Sequence, residues 1–201
     1  MAEDTGSIRV ILINGSARPG NYTGKALALV ENEFRKHGQV QAEVIEAGRL
    51  GLPLPGTDPD NAAAKLLREK VRGAAAVVLA TPEYHGSYSS VIKLAVENLG
   101  FPSVLAGKPV ALLGVAAGTI GAVKSLEALR GVVSHVGALA LPLAVSVANV
   151  QKVFDEQGNC LEAGVERHVR RVATGLMDYL HQHVCPAVTL ERLLREGVAA
   201  V

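Results

Sequence analysis

Three segments of the chain combine glycine with hydroxyl, amide or aromatic side chains, and each directly follows an apolar run. They are GSARPGNYT (residues 15–23), PEYHGSYSS (residues 82–90) and AAGTIGA (residues 116–122). Glycine allows a ligand to approach the backbone closely, and the free N–H groups at the start of a helix bind anions. This pattern indicates binding of a phosphorylated, planar molecule rather than acid–base catalysis by side chains.

The first of these segments has the composition of a phosphate-binding loop. Arg18 offers a guanidinium that can hold a phosphate through two hydrogen bonds. Hydroxyl and amide donors are added by Ser16, Asn21, Tyr22 and Thr23. The alternative is a Gly/Pro turn in which Thr23 only caps the following helix.

Two known nucleotide-binding motifs resemble this first segment without matching it. A Walker loop requires glycine where Pro19 stands and serine or threonine where Ala26 stands, so an NTPase is disfavoured. The dinucleotide motif GxGxxG fits except at Ala17, and Glu46 could supply the ribose-binding acid of a Rossmann domain. The Rossmann interpretation therefore stays open at this stage.

The second segment has the features of a ring-binding loop. Pro82 restrains the exit from the preceding strand, Tyr84 offers a flat apolar surface, and Gly86 permits close approach of the backbone. Ser87 adds a hydrogen-bond donor. Of the 4 tyrosines and 3 phenylalanines in the chain, two tyrosines fall in this segment. That concentration favours ligand binding over a solvated turn in which Ser89 or Ser90 caps the next helix.

The elements around these segments alternate between strand and helix. Apolar runs predict five strands, at residues 8–14, 40–46, 75–80, 110–117 and 139–145, and apolar residues spaced three and four apart predict helices after them. Such alternation predicts a doubly wound α/β fold, a five-stranded parallel sheet with helices on both faces. Ligands of these sheets bind at the carboxyl ends of the strands. The three segments follow the first, third and fourth strands.

Length and composition limit the remaining possibilities. The 201 residues, with 49% hydrophobic residues and a formal net charge of +1, predict one domain, a core over about residues 8–183 and a C-terminal extension over 184–201. This balance gives no reason to expect a nucleic-acid or membrane partner. We find no signal peptide, no membrane span, no metal site and no CxxC pair, so a cytoplasmic location is expected.

The three segments, in this order, resemble those of the NADPH-dependent FMN reductase family, whose members have a flavodoxin-like fold. The resemblance covers about residues 8–180 and includes PEYHGSYSSVIKLAVENL and AAGTIGAVKSLEALRGVVSHVGA. It implies that FMN is the cofactor and that the residues around it fall into three groups. The phosphate would be held by Ser16, Arg18, Asn21, Tyr22 and Thr23, the isoalloxazine would be bordered by Pro82, Glu83, Tyr84, His85, Gly86 and Ser87, and Gly118 and Gly121 match the third loop.

The resemblance also implies the reaction and its partners. A hydride would pass from NADPH or NADH to bound FMN, and two electrons would then pass to a quinone, flavin, azo or metal-oxyanion acceptor. The chemistry would take place on FMN, so no catalytic side chain is predicted. The apolar helix over residues 91–99 and the helix carrying Leu126 and Val136 suggest a homodimer or homotetramer. The alternatives are a flavodoxin-type electron carrier and a flavin-free Rossmann NAD(P)-binding protein.

Overall fold

A twisted, mainly parallel sheet forms the centre of the molecule in the computed structural model, which describes residues 7–186, 188, 189 and 191. The parallel strands are β1 (Ile8–Asn14), β2 (Val40–Glu46), β3 (Ala76–Tyr84), β5 (Pro109–Val115) and β6 (Leu139–Val147). Their order across the sheet is β2-β1-β3-β5-β6. The predicted five-stranded parallel arrangement is therefore confirmed. From β1 the next strand, β2, is added on one side and the later strands β3, β5 and β6 on the other, so the strand order reverses between β1 and β3.

Helices cover both faces of this sheet, as predicted. The helices are α1 (Tyr22–Arg35), α2 (Ala62–Arg72), α3 (Ser90–Glu97), α4 (Val123–His135), α5 (Val150–Val153) and α6 (Ala163–Tyr179). Buried side chains of α1 and α6 pack on one face, and those of α2, α3 and α4 pack on the other. Strands buried on both sides need apolar residues at almost every position, which explains the unbroken runs in the sequence.

The segment expected to be an irregular loop after β3 is partly strand, and that prediction was wrong. Strand β3 continues through Tyr84, and a short strand β4 (Ser87–Tyr88) pairs with it in the antiparallel direction. The two residues between them, His85 and Gly86, have φ angles of 50° and 75°. Two consecutive positive φ angles produce the tight turn that suits a two-residue β-hairpin.

The helix that follows the first segment is tied to the last helix by a charged cluster. Arg170 of α6 donates to Glu33 of α1 at 3.2 Å and to the carbonyl oxygen of Leu29 at 3.2 Å. The hydrogen bond from Lys36, assisted by Arg170, lowers the pKa of Glu33 below its ordinary value. These contacts hold α1 in place, and with it the loop that leads into it.

The C-terminal part continues as a π-helical turn, Leu180–Val184. Within the described residues, no helix combines the length and the apolar character that a membrane span requires. Most of the predicted C-terminal extension over residues 184–201, including the apolar residues Leu190, Leu193 and Leu194, lies outside the described residues.

Close packing at the end of β1 leaves no room for a side chain at Gly15. A Cβ atom at this position would lie 2.7 Å from the carbonyl oxygen of Ala80 and 2.8 Å from Cβ of Ile92. The N–H of Gly15 donates to that same carbonyl oxygen at 2.8 Å. The first segment therefore leaves the sheet in direct contact with β3 and α3.

We predict that Gly15→Ala lowers the free energy of unfolding by about 1–3 kcal/mol, because the added methyl group overpacks against backbone that cannot move aside. Urea denaturation measures this change. The matched control is Gly38→Ala, since a Cβ there would meet nothing within 4 Å. The control should stay within about 0.5 kcal/mol of wild type. Equal effects of the two substitutions would contradict the packing argument.

Candidate cofactor-binding site

Two adjoining clefts lie at the carboxyl ends of β1, β3 and β5. The larger has a volume of about 640 Å³ and the smaller about 340 Å³. Glu83, Ala116 and Ala117 line both of them. The clefts therefore form one continuous depression at the position where the sheet order reverses, as expected for this topology.

The structure brings together twelve of the thirteen residues predicted for the site. The larger cleft is lined by the eight predicted residues Ser16, Arg18, Asn21, Tyr22, Thr23, Pro82, Glu83 and Tyr84. The smaller cleft is lined by Glu83 together with His85, Gly86, Gly118 and Gly121. Ser87, a residue of β4, lines neither cleft.

The shape of the first loop depends on a residue that sequence analysis missed. Asn14, the last residue of β1, is fully buried, and its Oδ1 accepts the N–H of Ser16 at 3.1 Å. Its Nδ2 donates to Glu46 Oε2 at 3.0 Å and to Asn21 Oδ1 at 3.3 Å. A polar residue closing an otherwise apolar strand was the signal that could have identified it.

Asn21 caps α1, so the alternative of a helix capped by Thr23 is wrong. The Asn21 Oδ1 atom accepts the N–H of Gly24 at 2.7 Å, and its Nδ2 donates to the carbonyl oxygen of Arg18 at 2.7 Å. The N–H groups of Tyr22 and Thr23 have no acceptor in the part of the chain that the structure describes. They are available for an anion at the positive end of the helix dipole.

Three basic side chains, Arg18, Lys25 and Arg49, lie around this loop. Arg18 forms no ion pair among the described residues, and its guanidinium lies over the ring of Tyr84, 5.0 Å from the ring centroid. The arginine thus spans from the first loop to the second across the larger cleft. Lys25 and Arg49 stand on the outer side of the loop, together with the acidic residues Glu46 and Asp155, and Lys25 donates to the carbonyl oxygen of Asp155 at 2.6 Å.

A segment that was not predicted forms a further wall of the larger cleft, besides the residues after β1, β3 and β5. Val150 and Gln151 of α5 line the cleft, and Gln151 donates to the carbonyl oxygen of Ala117 at 3.2 Å. The N–H of Val150 donates to the carbonyl oxygen of Ala116 at 3.0 Å. This segment follows β6, the neighbour of β5, so its position follows from the strand order and not from a motif.

The geometry around Glu46 is unfavourable for the Rossmann interpretation. A ribose-binding acid must face the nucleotide, whereas the Glu46 carboxylate accepts the hydrogen bond from Asn14 behind the loop. Glu46 lines a separate depression with Lys25 and Arg49, outside both clefts described above. In this structure the Glu46 carboxylate stabilises the first loop from the side that faces away from the clefts.

Comparison with known proteins agrees with this geometry. The family model described as NADPH-dependent FMN reductase matches residues 8–152. The chain belongs to this family. Membership confirms the predicted enzyme class, a NAD(P)H-dependent FMN reductase, with FMN and NAD(P)H as its cofactors.

Individual proteins that are similar to this chain carry different descriptions. The chain is 28% identical over 156 residues to the FMN-dependent NADPH-azoreductase of Staphylococcus aureus (strain USA300), covering 74% of this chain and 81% of the relative. Its fold is similar to that of FerB, a flavoenzyme NAD(P)H:(acceptor) oxidoreductase from Paracoccus denitrificans, with a TM-score of 0.73 at 22% identity, over 88% of this chain and 98% of that one. An azoreductase from Bacillus anthracis str. Sterne gives a TM-score of 0.63 at 15% identity, over 83% and 99% of the two chains. These likenesses confirm the flavodoxin-like fold.

The residues present fit FMN. At one end of the clefts, free N–H groups at the start of α1 and the Arg18 guanidinium suit a phosphate. At the other end, Tyr84 and the backbone of Gly86 and Gly118 form surfaces that a flat ring can approach. A Cβ at Gly118 would meet nothing within 4 Å, so the backbone there is open to the cleft.

We predict that Arg18→Ala weakens FMN binding by about tenfold to a hundredfold, because a charge-assisted hydrogen bond to the phosphate is lost. Fluorescence titration of the apoprotein with FMN measures the dissociation constant. Arg49→Ala is the charge-matched control, since Arg49 lies outside both clefts. An unchanged dissociation constant for Arg18→Ala would show that Arg18 packs on Tyr84 and does not bind the phosphate.

Proposed function

We propose that this enzyme takes a hydride from NADPH or NADH onto FMN bound in the two clefts and passes two electrons to a quinone, flavin, azo or metal-oxyanion acceptor. The observation that carries the proposal is that the two clefts join where the strand order reverses. One cleft offers hydrogen-bond donors suited to a phosphate, and the other offers an open, glycine-lined surface. FMN supplies the hydride and electron chemistry when it is bound.

The chain contributes binding and orientation. The first loop would hold the phosphate through the N–H groups of Tyr22 and Thr23, the Ser16 hydroxyl and Arg18. Anchoring the phosphate would fix how far the ring reaches along the cleft towards Tyr84 and Gly86. Hydride transfer requires the donor ring to stack at close distance, so this alignment is the main contribution that the protein makes to the rate.

An open binding face also supports the proposed breadth of acceptors. In the part of the chain that the structure describes, Arg18 and Glu83 are the only cleft-lining residues with a fixed charge. Such a surface selects weakly between planar acceptors, because discrimination depends on specific polar contacts. We propose the cytoplasm, with its supply of NAD(P)H, as the place of action.

The proposal predicts that donor and acceptor use the same face in turn. Steady-state kinetics with NADPH and a quinone should therefore give parallel lines in double-reciprocal plots. The donor alone should bleach the visible absorbance of the bound flavin. Intersecting lines would contradict a shared face. A flavin that neither NADPH nor NADH bleaches would instead favour the electron-carrier alternative.

We further propose that the enzyme is a homodimer or an assembly of dimers. A groove of about 700 Å³ runs between α3, α4 and the loop over residues 53–59. Two hydrophobic side chains stand beside it, Phe101 with full exposure and Leu54 with 67% exposure. A groove and protruding apolar groups on one face suit a two-fold interface, in which each copy inserts into the other.

The predicted assembly can be tested at Phe101. Phe101→Glu should convert the dimer to a monomer in light scattering, because an unpaired charge would be buried in the interface. Leu161→Glu is the matched control, since Leu161 is 63% exposed but does not line the groove. A wild-type protein that is monomeric at micromolar concentration would contradict the assembly.

A further inference from the structure

The carboxylate of Glu83 is directed at the start of α4. Its Oε2 atom accepts the N–H of Ser125 at 3.0 Å, across 42 residues of sequence. Helix α4 begins after Ala122, which has no side-chain oxygen, and its first turn contains no acidic residue. The N–H groups at a helix start need acceptors, so Glu83 supplies from β3 the cap that α4 lacks.

The same helix start is held from its other side by β6. The N–H of Ala122 donates to Ser146 Oγ at 2.8 Å, and the buried hydroxyl of Ser125 donates to the carbonyl oxygen of Ala122 at 2.8 Å. Gly121 has a φ of 78°, and a Cβ there would lie 2.4 Å from Ser146 Oγ. The end of the loop over residues 116–122 and the start of α4 are therefore held by β3 and β6, the strands on either side of β5.

Glu83 is also part of the lining of the site. It lines both clefts, and among the described residues that line them it is the only acidic one. The smaller cleft lies between the turn at His85 and Gly86 on one side and residues 116–121 on the other. The Glu83–Ser125 bond connects β3, which leads into this turn, with the first turn of α4, which follows residues 116–121.

We propose that Glu83 is a positioning residue, whose bond to the Ser125 N–H fixes the separation of the second and third loops and so the width of the ring-binding part of the site. This inference rests on the proposed FMN site. The width matters because a planar ring can contact both loops at once only when their separation is fixed. Without the bond, the start of α4 loses its cap and its hydrogen bond to β3.

The first test compares Glu83→Ala with Glu83→Gln in FMN titrations of the apoprotein. Loss of a charge-assisted helix cap is expected to raise the FMN dissociation constant of Glu83→Ala about tenfold. The glutamine variant keeps an oxygen that can accept the Ser125 N–H, so it should stay within about threefold of wild type. A glutamine variant as weak as the alanine variant would overturn the proposal.

A double-mutant cycle separates positioning from direct contact with FMN. Ser125→Pro removes the N–H while proline remains tolerated in the first helical turn, and Ser125→Ala controls for the lost hydroxyl. If Glu83 acts through Ser125, the double variant Glu83→Ala/Ser125→Pro should bind FMN no more than about twofold more weakly than the worse single variant. Effects that multiply would show that Glu83 contacts FMN independently.

Amide hydrogen exchange of the apoprotein tests the bond without any cofactor. The Ser125 N–H should exchange faster in Glu83→Ala than in wild type, and at the wild-type rate in Glu83→Gln. Equal exchange in all three proteins would overturn the proposal even if Ser125→Pro does not fold. Failure of the wild-type protein to bind FMN would instead refute the proposed function. The exchange result would still report on the Glu83–Ser125 bond, because it is measured without FMN.

Discussion

Gly15 and Ser89 join the parts of the molecule that form the site. The Ser89 hydroxyl donates to the carbonyl oxygen of Gly15, accepts the N–H of Ile92 at 3.1 Å, and so caps α3. The Ser89 N–H donates to Thr81 Oγ1 at 3.0 Å. One buried serine therefore links the first loop, β3 and α3, and it can reach Gly15 only because no side chain stands there. The relative position of the phosphate end and the ring end depends on this contact.

Side chains from distant parts of the sequence shape each loop of the site. Asn14 and Asn21 order the first loop, Glu83 caps the helix after the third, and Ser146 accepts the N–H of Ala122. Each of these bonds satisfies a backbone or side-chain group that would otherwise be buried without a partner. Because these hydrogen bonds stabilise the loops, other backbone N–H groups of the loops can face the clefts.

This arrangement explains how a site with so few charged residues can serve a redox reaction. The protein does not need an acid–base pair when the cofactor supplies the chemistry, so rigidity and access are the properties that matter. Rigidity comes from the buried caps and from close packing at Gly15 and Gly121. Access comes from the glycine-lined surface, which leaves the donor and the acceptor free to enter in turn.

The amino-acid sequence by itself determined the class of fold and the three loops of the site. Apolar strands buried on both faces and helices with regular apolar spacing are local patterns, and so are glycine-rich segments after strands, because each depends on residues close together in the chain. Only the tertiary structure decided which groups face the clefts. It turned residues 82–90 into a hairpin around His85 and Gly86, and added α5 as a further wall. It also directed Glu46 and Glu83 towards Asn14 and Ser125, because the direction of a side chain is set by partners that the sheet order brings together from far along the chain.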